Sequence, residues 1–208
     1  MFGSMIEKAV HKSQHCQRNW DLSKSIPEED LQVLETSITA CPSKQNYVLY
    51  QPWMITHRET IDKIYHATDG FMLPDGTSKT NSQTLANLLV VFVESDAYWD
   101  QLPRNKEVLE SKQSGKEHPS VEVQRNLAIG IASGYLNLTA SLLGYSTGCC
   151  TCFNGHDIKT ILKTNKEPRL LMGVGIPDKT RSRREHHKEK DFVFPTFNKE
   201  MKAIRIVD

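Results

Sequence analysis

Apolar positions along the chain follow two periods. Leu31, Leu34 and Ile38 fall at helical spacing behind Ser25 and Glu28, a Ser-x-x-Glu pair that fits a capping box. A helix is expected there, ending near Cys41 because Pro42 follows. Tyr47 to Thr56 is rich in aromatic and β-branched residues and reads as a strand, with Pro52 placing it at an edge or a bulge. Arg58 to Ala67 returns to helix, with Ile61, Ile64 and Tyr65 on one face. LLVVFVES, residues 88–95, is apolar without interruption over strand length, which fits a central strand covered on both faces.

Further on, Tyr98 to Glu110 is weakly helical, and the polar run 111–120 reads as a mobile loop. From Val121 the pattern Val123, Leu127, Ile131, Gly134, Leu138, Leu142 predicts a helix of about six turns. Few charges follow Arg125, so this helix is expected to be the buried spine. Asn154 is placed to cap a shorter helix reaching Lys163, RLLMGVGIP (169–177) reads as a second buried strand, and KAIRIV (202–207) alternates like a strand. No internal repeat is present, and the elements lack the βαβ rhythm of a doubly wound sheet. The expected class is an α+β sandwich.

The length of 208 residues is most simply one domain, 1–208, with a core of its own. A formal charge of +1 argues against a general nucleic-acid binder, so any basic site must be local. The first residues, MFGSMIEKAVHK, lack a signal-peptide pattern, and no apolar run approaches the roughly 20 residues of a bilayer span. No membrane association and a cytoplasmic location are expected. Five cysteines, three of them at Cys149, Cys150 and Cys152, do not form the even framework of a secreted scaffold, so reduced thiols are expected.

The motifs that bear chemistry are few. GVG (173–175) lacks the third glycine of a dinucleotide fingerprint and is followed by Pro177, and no phosphate-binding GxxxxGK[ST] loop exists. Two basic clusters, HCQRNWD (15–21) and TRSRREHHKEK (180–190), are able to set guanidinium groups around a phosphate, although each alone reads more readily as solvated charge. His186 and His187, inside the second, are expected to be exposed. Cys149 and Cys152 form a CxxC, with His156 four residues on. That is half a zinc site or a dithiol, without the second CxxC or the thioredoxin context that either requires. The remaining puzzle is ACPSKQNYVLYQPW (40–53), a loop rich in side-chain hydrogen-bonding groups where a simple reversal would use glycine.

Taken in order, these pieces resemble the nitroreductase family of FMN-dependent oxidoreductases over nearly the whole chain. His15-Cys16-Gln17-Arg18-Asn19-Trp20 stands where the family has a basic-Ser-x-basic motif and an aromatic. Cys41-Pro42-Ser43-Lys44-Gln45-Asn46 and Gln51-Pro52-Trp53 stand for its APS..N loop and QPW strand. Asn81 and Gln83 fall where the family places flavin-binding amides, Cys150-Thr151-Cys152-Phe153 where a loop packs over the flavin, and Arg181-Ser182-Arg183 where its closing phosphate-binding pair lies.

The resemblance implies a central mixed or antiparallel sheet flanked by helices, a homodimer, and a C-terminal strand exchanged with the partner subunit. It implies FMN held by His15, Cys16, Arg18, Pro42, Ser43, Asn46, Asn81, Gln83, Cys150, Thr151, Arg181 and Arg183. NADH or NADPH would be the reductant, and a nitroaromatic, quinone or similar small molecule the acceptor, in ping-pong turnover without a catalytic side chain. Gln14 and Cys16 depart from the family's arginine and serine, and the chain from Tyr47 to Tyr50 lengthens the gap before QPW. That change admits a different flavin reaction, such as reductive dehalogenation or flavin fragmentation. A non-enzymatic metal or redox sensor built on Cys149, Cys152 and His156 is the alternative from another class.

Overall fold

The computed structural model describes residues 2–95, 97, 110, 113–114, 119–197 and 199–206. The weak helix expected over 98–110 and the loop over 111–120 lie almost wholly outside the described residues. The named helices are α1 (Phe2–Ser13), α2 (Glu28–Thr39), α3 (Arg58–His66), α4 (Pro119–Leu142) and α5 (Gly155–Leu162). A short hairpin is made by β2 (Phe71–Met72) and β3 (Ser78–Lys79), and the main strands are β1 (Tyr50–Ile55), β4 (Leu88–Glu94), β5 (Ser146–Cys150) and β6 (Pro168–Gly175).

The main sheet is antiparallel, in the order β1-β4-β6-β5. Its central strand shows why the fold has three layers. Leu88, Val90 and Phe92 point to one face, where they meet Leu34 and Ile38 of α2 and Ile129, Ala132 and Leu136 of α4. Leu89, Val91 and Val93 point to the other, against Ile61 and Ile64 of α3 and Ile158 of α5. Both faces are thus covered, as the unbroken apolar run requires, and each of these side chains contributes about 1.5–3 kcal/mol by its burial. The architecture is an α+β sandwich, as the sequence predicts.

Several local expectations need correction. Helix α2 begins at Glu28 with Pro27 as its N-cap and no side-chain capping bond, so Ser25 and Glu28 form no capping box. The acidic run Glu28, Glu29 and Asp30 instead sits in the first turn, where the helix dipole favours it. Strand β1 starts at Tyr50 rather than Tyr47, because Lys44–Asn46 forms a 3-10 turn with Gln45 and Asn46 at positive φ. It is an edge strand, which accommodates Pro52.

The long helix forms, but on the opposite face from the one expected. Val123, Leu127 and Ile131 are 53%, 58% and 41% exposed, while Val121, Arg125, Ala128, Ile129, Ala132, Leu136 and Ala140 face the core. Arg125 is the reason the pattern misleads. Its guanidinium is buried, donating to the Leu49 carbonyl at 3.0 Å and to Glu94 at 3.3 Å, and Glu94 also pairs with Arg169. Residues 201–206 form no strand and are exposed.

The GVG run has a packing purpose. A Cβ on Gly173 would collide with the Gln83 carbonyl oxygen, and one on Gly175 with the Asn87 side chain. Gly148 on β5 similarly makes room for Gln83 and Gln17. These glycines clear a floor on which residues 81–87 lie. Gly173→Ala should therefore lift that segment and lower stability by about 2–3 kcal/mol through overpacking. Urea unfolding reads this directly, and an unchanged midpoint would show that the floor is not needed.

Candidate functional site

A cationic cavity opens beside β5. The segment Gln14–Asp21 is laid along the sheet by main-chain bonds: Gln17 N–H to Thr147 O at 2.8 Å, Arg18 N–H to Arg183 O at 3.0 Å and Asp21 N–H to Ile176 O at 2.8 Å. Trp20 is buried and donates its indole N–H to Ser82 O at 3.1 Å. The resulting cavity, about 530 Å³, is lined by His15, Cys16, Arg18, Arg183, Arg184 and Phe194, among others.

Each cation there is aimed by a neighbour. Arg18 stacks on the Phe194 ring, 4.0 Å from its centroid, and donates to Gln83 Oε1 at 2.6 Å. Gln83 is fixed in turn, its amide nitrogen donating to Cys149 O at 3.2 Å and to Asn81 Oδ1 at 3.3 Å. Asn81 ties the same turn to the Asp69 carbonyl at 2.5 Å. Arg183 rests on the Cys16 carbonyl at 3.4 Å, and Arg184 donates to the Phe194 carbonyl at 2.8 Å. Burial pushes the Cys16 thiol up despite the nearby Arg18 and Arg183, and burial together with Arg183 lowers His15. The cavity therefore presents the positive charge of Arg18, Arg183 and Arg184 beside His15 and Cys16, with Lys199 and Glu200 also in its lining.

The loop that carries Arg183 is held by two histidines in the charged run. His186 is fully buried, contrary to the exposed surface expected of it. Its Nδ1 accepts from the Glu189 N–H at 2.9 Å and the Lys188 N–H at 3.2 Å, while Nε2 lies 3.1 Å from Thr80 O and donates to it. The ring stacks on Phe194, behind Arg18. His187 Nδ1 accepts the Trp20 N–H at 3.2 Å. Both rings are neutral acceptors. Burial lowers the pKa of His186, and burial followed by the charge of Arg181 brings that of His187 down to about 4.

Arg181 is turned away from the cavity. Its donors go to Glu185 Oε2 at 3.1 Å, His187 O at 3.1 Å and His186 O at 2.7 Å, so it braces its own loop. Cys150 is buried on β5, its thiol donating to Cys152 O at 3.4 Å and raised to about 12 by burial, and Thr151 is exposed just beyond it. Among the described residues no group of three or more His, Cys, Asp and Glu side chains is arranged to hold a metal ion.

Pro42, Ser43 and Asn46 lie elsewhere. Ser43 closes its own turn through Oγ to Tyr47 O at 2.8 Å, while Asn46 and Ser43 line a separate cavity of about 640 Å³ with Tyr47, Tyr50 and Pro52. That cavity adjoins β1, and the cationic one adjoins β5, at the opposite edge of the sheet. Three strand spacings of about 4.8 Å separate those edges. The chain thus brings His15, Cys16, Arg18, Gln83 and Arg183 together, with Asn81 and Cys150 behind them, and leaves the 42–46 loop apart. Phe194, Arg184 and His186 are the contributors that sequence reasoning missed. The only signal for them is the FVF alternation at 192–194 beside a run of arginines and histidines.

No protein-family model matches the chain, and no curated protein does. Solved structures do. A nitroreductase family protein from Clostridium novyi NT is 19% identical, with a TM-score of 0.63 over 86% of this chain and 90% of its own. One from Streptococcus pneumoniae TIGR4 is 14% identical, with a TM-score of 0.65 over 99% of this chain and all of its own. A protein from Exiguobacterium sibiricum 255-15, described as a nitroreductase and solved in complex with FMN, is 15% identical, with a TM-score of 0.64 over 85% of this chain and 90% of its own. The fold is nitroreductase-like.

The two histidines make the loop sensitive to acid. Both are neutral when folded and protonate more readily when unfolded, so their contribution is complete above the ordinary imidazole value of about 6.5. It is lost as pH falls from there towards about 4, where folded His187 is protonated as well. Urea midpoints should fall across that window, and His187→Gln, which keeps an acceptor without the titration, should reduce the slope. Identical slopes for the two proteins would contradict this account.

Proposed function

We propose that this protein is an FMN-dependent oxidoreductase that takes electrons from NADH or NADPH and delivers them to a nitroaromatic, quinone or similar small acceptor by a ping-pong mechanism. The observation that carries the reading is the convergence of Arg18 and Arg183 on one cavity of a nitroreductase-like fold. The donor set fits a phosphate. Arg18 gives one N–H to Gln83, which fixes its plane and directs the remaining donors of its fork toward an oxyanion. Arg183 and Arg184 add charge to the same cavity.

The chemistry that FMN supplies is hydride acceptance from reduced nicotinamide and return of the electrons to the acceptor. The residues of this chain bind and orient. Arg18 and Arg183 anchor the phosphate, while Gln83, itself held by Asn81, orients Arg18 from behind the cavity. No side chain is assigned as acid or base, since water serves as the proton source. Arg181 serves this site only by bracing the loop, which revises its expected direct contact. Free cysteines and the absence, among the described residues, of a helix long and apolar enough to cross a membrane support the cytoplasm as its compartment.

The reading includes a homodimer. Val123, Leu127, Ile131 and Tyr135 form an exposed apolar stripe along α4, which a second copy would cover. Such a copy would also bring its 42–46 loop to the cationic cavity that its own chain keeps at the far edge. The exposed tail, with Ile204 and Ile206 at 92% and 93%, would lie on the partner.

Two results test this. Arg183→Ala should weaken FMN binding by about 10- to 100-fold, the effect of one lost charge-assisted bond, as read by flavin fluorescence quenching. An unchanged Kd would remove that residue from the site. In sedimentation velocity the protein should run as a dimer and Leu127→Asp as a monomer, and a monomeric parent protein would contradict the composite site.

A further inference from the structure

His186 does not line the cationic cavity, whereas Phe194, on which it packs, does. The imidazole is locked from two directions. Its Nδ1 accepts the backbone N–H groups of Lys188 and Glu189 from its own loop, while Nε2 donates to Thr80 O just beyond β3. The hydroxyls of Tyr65 and Thr80 close in on Nε2 at 3.4 Å and 3.5 Å. With both nitrogens committed, the ring cannot turn without breaking all three of those bonds. Phe194 lies nearly parallel to this fixed ring, with centroids 5.8 Å apart and planes at 24°. Phe192 and Phe71 meet the phenyl edge-on, at 4.8 Å and 6.2 Å between centroids. The Arg18 guanidinium sits 4.0 Å from the Phe194 centroid.

We propose that His186 is a positioning residue for the anion site, acting through Phe194 to hold the Arg18 guanidinium in the plane from which it meets a phosphate. Gln83 takes one N–H of Arg18 and sets the direction of its fork, but one hydrogen bond leaves the guanidinium free to rotate about it. The face of Phe194 sets the plane. A phenyl ring does so only if it cannot rock, and its neighbours differ in how well they prevent that. Phe71 is 40% exposed, whereas His186 has no exposed surface.

Histidine suits this position because it offers a flat face to Phe194 while its nitrogens tie the loop to Thr80. A charged side chain there would set a second cation against the ring that already carries Arg18. Burial lowers the His186 pKa and keeps the imidazole neutral. Arg18 is thus oriented by two residues, Gln83 by direct contact and His186 at one remove.

The test compares two substitutions that separate the ring from its hydrogen bonds. His186→Asn puts an amide oxygen where Nδ1 accepts and removes the ring, and His186→Phe keeps a ring and removes the acceptor. FMN is the first probe, a choice that rests on the flavin reading. By fluorescence quenching, Kd should rise about fivefold in His186→Asn and stay within about twofold in His186→Phe. His186→Phe should nevertheless have the lower urea midpoint, since it leaves two N–H groups unpaired. Affinities that follow the urea midpoints would show a purely structural role and overturn the proposal, as would an unchanged Kd in His186→Asn. Phe194→Leu should raise Kd about tenfold, and His186→Asn added to it should raise Kd no further, because both act along one path. Factors that multiply would overturn the proposal, and this cycle decides alone where His186→Phe does not fold. A protein that takes up no FMN would defeat the flavin reading. The same variants are then compared by titration calorimetry with sulfate, where the same order of affinities supports His186 and a parent protein that binds no sulfate overturns this proposal as well.

Discussion

The candidate site depends on a patch of the sheet that has no side chains. Gly148, Gly173 and Gly175 leave a bare surface near one edge, and residues 81–87 settle onto it so closely that a single added carbon would collide with the Gln83 carbonyl. From that position Gln83 reaches Arg18 on one side and the Cys149 carbonyl on the other. A guanidinium has many rotamers, and ordering one costs up to about 2 kcal/mol of side-chain entropy. The glycine floor moves that cost into folding, so Arg18 is held in one orientation by the folded chain itself.

The opposite wall is built by a different device. The segment carrying Arg183 has little regular structure and would be mobile if it depended on surface ion pairs, which contribute only about 0–1 kcal/mol each. Instead His186 and His187 enter the interior as neutral rings and accept backbone N–H groups, while Arg181 closes the loop on itself. Phe194 joins the two walls, since its ring lies between His186 and the Arg18 guanidinium. Cation, aromatic and imidazole form one stack that runs from the cavity to the core.

Much of this fold was legible because burial on two faces leaves an unmistakable signature, as in residues 88–95. Other parts were not. β5 reads STGCC, with two residues of weak strand preference and a glycine kept for packing, so nothing local announces it. The helix over α4 was legible and its orientation was not, because the exposed stripe is as apolar as the buried one and Arg125 occupies a core position. At the site, the order of motifs identified Arg18 and Arg183. It could not tell Arg181 from Arg184, since which arginine faces the cavity depends on Glu185 reaching back to capture Arg181. His186 was hidden for a similar reason: a histidine between arginines and lysines looks solvated until Phe194 and Thr80 enclose it.

The central claim is that this arrangement holds a reducible flavin. The most direct measurement is the visible absorption spectrum of the purified protein, supplemented with FMN if colourless, recorded under anaerobic conditions before and after NADPH and then NADH. The account predicts protein-bound flavin bands that bleach with one of the two nicotinamides and return when a quinone or nitroaromatic is added. A protein that remains colourless and takes up no FMN would contradict it.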